Sequence, residues 1–497
     1  MLYQVVRDHY ETFAAQASSW CDGAGLPPFI EKEFRGFLRC GWLAGGFARF
    51  HCDRCQLDRL VPFSCKGRAV CPSCGGRRMA ERAAHLVDQV LPDVPVRQWV
   101  LSLPHRVRYL LAWDHALCRA VAGVFMRAVL GFLRRRARAH GVADGRSGAV
   151  VVIQRFGAAL NVNVHAHALV LDGVFAQDDC GGLSFHPAAP PTEAEMDVLV
   201  RTIARRVERL LVRRGVWGEA SESGGSDPWV AEEPLLAGFT AASVRGRVAL
   251  GPRPGAALRR VGGLPDQEAL PIVRGPHQAA LRGFDLDATV VVPADGRERL
   301  ERLCRYALRP PIAQDRIEWT AGGEVLLELR HRWSDGTTHL RFHPLELLER
   351  LASLTPRPRI NLVLYYGVLA AHAAWRTRLP RPATPALARA ADSGERRGPP
   401  DPVGPEQAMP SAVRESSRKS AGSNWLWAQL MRRSFGFDVL ACPRCGGRFR
   451  LVALIEERSV IDRILRHLGL PAEVPATRPS RAPPASPHQV RFDDDAA

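Results

Sequence analysis

The run Asn161-Val162-Asn163-Val164-His165-Ala166-His167-Ala168-Leu169-Val170-Leu171 holds the residues best suited to chemistry in this 497-residue sequence. Apolar and β-branched residues dominate it and Asp172-Gly173 ends it with a turn, the pattern of a buried β-strand. Side chains alternate along a strand, so His165 and His167 leave the same face, whereas on a helix they would splay by about 200°. Two adjacent imidazoles are half of a divalent-cation site, or else a pair of hydrogen-bonded core histidines. Gln154, on a predicted strand over 149–154, could face the same way. Its amide oxygen suits a hard cation such as Mg²⁺ or Mn²⁺, and it suits equally a hydrogen bond to one imidazole. A His/His/amide set with open positions would be catalytic, because substrate oxygens must complete it.

A nucleophile for such a site would be one of only six tyrosines. Tyr306 alone sits on a predicted helix crowded with Arg299, Arg302, Arg305 and Arg309. Asp295 is a plausible N-cap for that helix, and Leu300, Leu303 and Leu308 form its apolar stripe. A phenol has a pKa near ~10, and nearby cations favour the phenolate. A tyrosine nucleophile forms a phosphotyrosine link that keeps phosphodiester energy for rejoining. Read alone, a tyrosine on a helix is a packing residue.

Twelve cysteines are unevenly spread. Cys52-x2-Cys55-x15-Cys71-x2-Cys74 matches the two-knuckle zinc pattern, in which four thiolates close a tetrahedral structural site. Cys65, His51 and Cys40 stand nearby as bystanders or as ligands of a second ion. Exposed Arg77 and Arg78 make this ribbon a candidate DNA contact. Cys442 and Cys445 form a second C-x-x-C with no partner pair nearby. Zinc there needs His467, another remote residue or a second chain; otherwise the knuckle packs as small hydrophobes.

Lysine and arginine outnumber acids 68 to 51, a formal charge of +17. The surplus is nearly all arginine, which forks onto phosphate, and it points to nucleic acid as partner. No charged-then-apolar leader opens the chain, clustered cysteines favour metal over disulfides, and no apolar run reads as a membrane span. The expected compartment is the cytoplasm, in association with the nucleoid; a homo-oligomer is compatible. The pattern divides the chain into a helical segment and zinc ribbon (1–95), a catalytic domain (96–376) with an insertion (173–283) that holds one arginine-rich helix at about Glu193 to Arg214 and is otherwise poorly periodic, a disordered linker (377–422), a small CxxC module (423–471) and a disordered tail (472–497).

His165-Ala166-His167 resembles the HUH motif of rolling-circle endonucleases, and the sequence is most similar to transposases of the insertion sequence 91 family and their common-region relatives. The resemblance includes Phe50-His51-Cys52-Asp53-Arg54-Cys55, Phe63 through Cys74, Trp99-Val100-Leu101-Ser102-Leu103-Pro104-His105, Ile153-Gln154-Arg155-Phe156-Gly157, Leu303-Cys304-Arg305-Tyr306, Trp333 through His339 and Cys442-Pro443-Arg444-Cys445-Gly446-Gly447. It implies an α+β fold with a central, mainly antiparallel sheet and flanking helices. It further implies nicking of single-stranded DNA at element ends, with His165 and His167 as cation ligands and Tyr306 forming a 5′-phosphotyrosine. Some relatives carry a second tyrosine four residues earlier; Arg302 stands there, so this chain resembles the single-tyrosine branch. A plasmid replication initiator or relaxase would share the chemistry, and a non-catalytic zinc DNA-binding protein would share only the ribbon.

Overall fold

The computed structural model describes residues 1–20, 23, 25–217, 228–262, 275–380, 427–436 and 438–481. Helices α1 (Leu2–Trp20) and α2 (Pro28–Arg39) meet through apolar stripes, with the rings of Tyr10 and Phe34 5.4 Å apart. The hairpin β1 (Phe47–Cys52) and β2 (Leu57–Pro62) follows, then α3 (Pro72–His85), which widens into a π-helical turn at Leu86–Val90. Next come β3 (Val96–Ser102), α4 (His105–Trp113), α5 (His115–Ala139), β4 (Gly148–Phe156) and β5 (Val162–Leu171). Helix α5 is apolar and long enough to cross a membrane, contrary to the reading of the sequence. It is a core helix, however, burying Val121, Phe125, Val129 and Phe132.

The insertion, expected to hold one helix near Glu193 to Arg214 and little else, contains that helix and several further elements. It holds the hairpin β6 (Gly173–Gln177) and β7 (Leu183–Pro187), then α6 (Glu193–Arg213), α7 (Pro228–Glu232), α8 (Pro234–Val244), β8 (Arg259–Val261) and β9 (Gln278–Leu281). Helix α8 is apolar all round and packs on α4, β5 and the later helix Pro344–Leu354, so it shows no amphipathic period to read. Then follow β10 (Phe284–Asp287), β11 (Val291–Val292), α9 (Arg297–Leu308), β12 (Ile317–Trp319), β13 (Val325–Glu328), β14 (His339–Phe342), α10 (Pro344–Leu354) and β15 (Val363–Gly367). The C-terminal module is α11 (Trp427–Phe435), β16 (Phe449–Ile455) and α12 (Arg458–His467). Of the expected linker, residues 381–422 lie outside the described residues. Part of the expected tail is docked: Arg478 N–H donates to the Arg7 carbonyl at 3.0 Å and its guanidinium meets Asp8.

The central sheet runs β15-β4-β5-β3-β10-β9, with β11 also on β3, and every pair is antiparallel. Its two faces bury separate cores. Even-numbered β5 side chains, Val164, Ala166, Ala168 and Val170, face Val121, Phe125 and Val129 of α5. Odd-numbered Leu169 and Leu171 join Leu86, Val90, Leu300 and Leu303 under the π turn and α9. The histidines share the second face, beyond the edge of its apolar core. A four-stranded sheet, β12-β13-β14-β8, stands beside this layer, and β16-β1-β2 forms a third.

Candidate active site and thiol centres

The β4–β5 register sets Gln154 opposite His165 and Val152 opposite His167, so all three polar side chains emerge on one face. His165 Nδ1–H donates to the Asn163 carbonyl at 2.8 Å, which leaves its Nε2 lone pair free to accept. His167 Nε2 lies 3.1 Å from His165 Nε2. Two nitrogens at about that spacing can share one cation at ~2.1 Å each as neighbouring ligands. On its other side, His167 Nδ1 is 2.9 Å from the Gln98 amide of β3. Burial pushes His165 down to about 4, the Asn163 carbonyl opposing and Arg309 and Arg108 reinforcing. Burial lowers His167 to about 3, helped by His165 and Arg309. Both rings are neutral at physiological pH, the form a metal ligand requires.

Gln154 is held by the end of α9. Its Nε2 donates to the Ala307 carbonyl at 2.9 Å, and its buried Oε1 has no hydrogen-bond partner among the described residues. An acceptor left unmatched on the same face as two imidazole nitrogens fits a hard cation. The C-terminal end of α9 carries partial negative charge into the same corner. The residues present therefore fit a divalent ion.

Helix α9 begins at Arg297 with Gly296 as N-cap; Asp295, expected there, supplies no capping bond. Leu300, Leu303, Cys304 and Ala307 are buried against the sheet, which turns Tyr306 to the rim, 43% exposed. Pro310-Pro311 prevents the helix from continuing. The Tyr306 ring stands edge-on to His167, with centroids 5.7 Å apart. Arg309 lies over the Tyr306 ring at 4.3 Å and over Phe156 at 5.5 Å.

The arginines expected to crowd Tyr306 divide. Arg309 lines a cleft of about 500 Å³ that it shares with Arg77 and Arg78, the expected ribbon contacts, and with Lys66 and Arg68, running from the ribbon to Gln154. Arg305 is committed to Glu301 at 2.6 Å, and exposed Arg299 and Arg302 lie outside the cleft lining. Sequence reasoning missed Gln98, although its parity on β3 matches that face. It also missed Arg297, which anchors α9 by donating to the Val87 and Leu91 carbonyls.

The cysteine grouping needs correction. Cys52 and Cys55 do not share a centre with Cys71 and Cys74. Cys71 and Cys74 join Cys40 and Cys65, while Cys52 and Cys55 join Cys442 and Cys445, each group with its sulfurs within 4.8 Å of one another. His51 stays out of both groups and faces Asp58 at 3.0 Å. In the first group Cys74 Sγ is 3.4 Å from Cys65 and 3.7 Å from Cys40. Tetrahedral sulfurs at ~2.3 Å from zinc lie about 3.8 Å apart, so these spacings suit zinc.

Two family models match the chain. Residues 148–376 match one described as "Putative transposase", and residues 5–103 match the "Transposase zinc-binding domain" of insertion sequence 91 elements. No curated protein and no solved structure matches. These two matches mark the chain as a transposase, a DNA-processing enzyme. The chain belongs to the insertion sequence 91 family of transposases.

Proposed function

We propose that this transposase nicks and rejoins single-stranded DNA at the ends of its element through Tyr306, in rolling-circle transposition assisted by Mg²⁺ or Mn²⁺ at His165, His167 and Gln154. The observation that carries this reading is the edge-on approach of the Tyr306 ring to His167, from a helix 139 positions further along the chain. A divalent ion bound by these ligands would draw charge from the scissile phosphate and orient it. Tyr306 Oη forms a bond to phosphorus as the bond to the 3′ oxygen breaks; the phenolic proton is released and the departing oxygen becomes a 3′-hydroxyl. The 5′ phosphate stays on the tyrosine until another 3′-hydroxyl attacks it and restores the phenol. Arg309, stacked on the ring, offsets charge on the phenolate and the phosphoryl oxygens.

The cleft bearing Lys66, Arg68, Arg77, Arg78 and Arg309 would track the backbone of the strand, and its excess of cations supports DNA as the partner. The protein would then work in the cytoplasm at the nucleoid. Incubation with single-stranded element-end DNA labelled at its 3′ end, followed by denaturing electrophoresis and peptide mapping, tests the reading. The expected result is a labelled protein band whose phosphopeptide contains Tyr306. No adduct, or one mapped to another residue, overturns it.

A further inference from the structure

We infer that Cys52, Cys55, Cys442 and Cys445 form a second structural zinc centre, shared between the two ends of the chain and separate from the centre at Cys40, Cys65, Cys71 and Cys74. The pairing of β16 with β1 brings the knuckles together: Cys52 lies opposite Phe449, and His51 opposite Arg450. Cys52 Sγ is 3.5 Å from Cys445 Sγ, and Cys55 Sγ is 3.5 Å from Cys442 Sγ. A disulfide would need about 2.05 Å, whereas thiolates around one zinc lie about 3.8 Å apart.

The two groups also share a local device. In the first, Lys66 follows Cys65 at φ +56°, and Gly67 N–H donates to Cys65 Sγ at 3.3 Å. In the second, Gly446 follows Cys445 at φ +70°, and Gly447 N–H donates to Cys445 Sγ at 3.4 Å. An amide aimed at sulfur stabilises the thiolate over the thiol. A Cβ on Gly447 would stand 3.3 Å from Cys445 Sγ and 3.4 Å from Cys52 Sγ, so the backbone is drawn tightly against the sulfurs.

What this centre would secure reaches the catalytic helix. Arg433, on α11 just before the second knuckle, ion-pairs with Asp88 and, at 2.6 Å, with Glu301 of α9. Glu301 also holds Arg305, the neighbour of Tyr306. Leu430 packs on Ala80 and Ala84 of α3.

Elemental analysis of the purified full-length protein tests the assignment. Wild type is expected to carry two zinc ions per chain, and Cys442→Ser/Cys445→Ser one. Wild type with one zinc, or the double variant with two, overturns the proposal. Should the variant fail to fold, alkylation of denatured wild type under non-reducing conditions decides together with the wild-type metal content. Two zinc ions with Cys52, Cys55, Cys442 and Cys445 all recovered as free thiols support the site. A disulfide among the four overturns it. Neither readout involves DNA cleavage, so failure here leaves the tyrosine mechanism standing, and failure of that mechanism leaves this centre standing.

Discussion

The paired imidazoles and the cysteine group joining the chain's ends are built on opposite plans. His165 and His167 are two residues apart on one strand, with Gln154 opposite them across a hairpin. The cysteine pairs meet over 387 and 393 positions of sequence. A site carried by one hairpin keeps its geometry as long as that hairpin and its covering helix stay packed. A site assembled from both ends records whether the whole chain has folded. Substitutions in the first should change chemistry and spare stability; those around the second should do the reverse.

The sharpest break would come from Tyr306→Phe. Loss of the nucleophile should lower nicking by at least about a thousandfold. Since the ring lies at the rim, the denaturation midpoint should shift by no more than about 0.5 kcal/mol equivalent. A large loss of stability would deny the contrast. Next, His167→Ala should reduce nicking by about a hundredfold or more, the scale for losing one electrostatic contributor in a protected site. Calorimetric titration of Mn²⁺ should show weakened binding as well.

On the other side of the comparison, Arg433→Ala removes a cation from between Asp88 and Glu301 and should cost about 3 kcal/mol in urea denaturation. Glu301 keeps Arg305, so that figure leans towards the lower end for a broken buried pair. The smallest effect expected is that of Gln98→Ala. Rotating the Gln98 amide half a turn offers an acceptor to His167 Nδ1–H, the arrangement that frees Nε2 for a cation. Its loss should weaken Mn²⁺ binding by about tenfold, and unchanged affinity would show that Gln98 merely fills space.

The contrast also explains what could be read in advance. The apolar, β-branched run over Val162–Leu171 marks a strand buried on both faces, the stripe on α9 marks a half-buried helix, and both were legible for those reasons. That Gln154 could share the face of His165 was legible from its neighbouring strand, whereas their direct opposition is set by the β4–β5 register. The cysteine grouping was not legible, because spacing favours the nearest knuckle and carries no trace of the β1–β16 pairing. Strand β15 escaped notice as five residues at the sheet edge, and α8 because burial on all sides erases its period. Glu301 and Arg305 stand four apart on α9, a local pairing pattern, but the tie of Glu301 to Arg433 depends on a module more than 100 residues downstream, which no local pattern in α9 reveals.

The order β16-β1-β2 has a consequence for synthesis. The ribosome releases one of the first strands long before its neighbour exists; at roughly 5–20 residues per second the delay is about 20 to 80 seconds. During that time one border of β1 is bare, and a message cut short anywhere upstream of residue 449 never covers it. Only a translation product that reaches Ile455 has a finished N-terminal sheet, so shorter fragments of a broken gene are left with an adhesive edge that invites degradation or clumping.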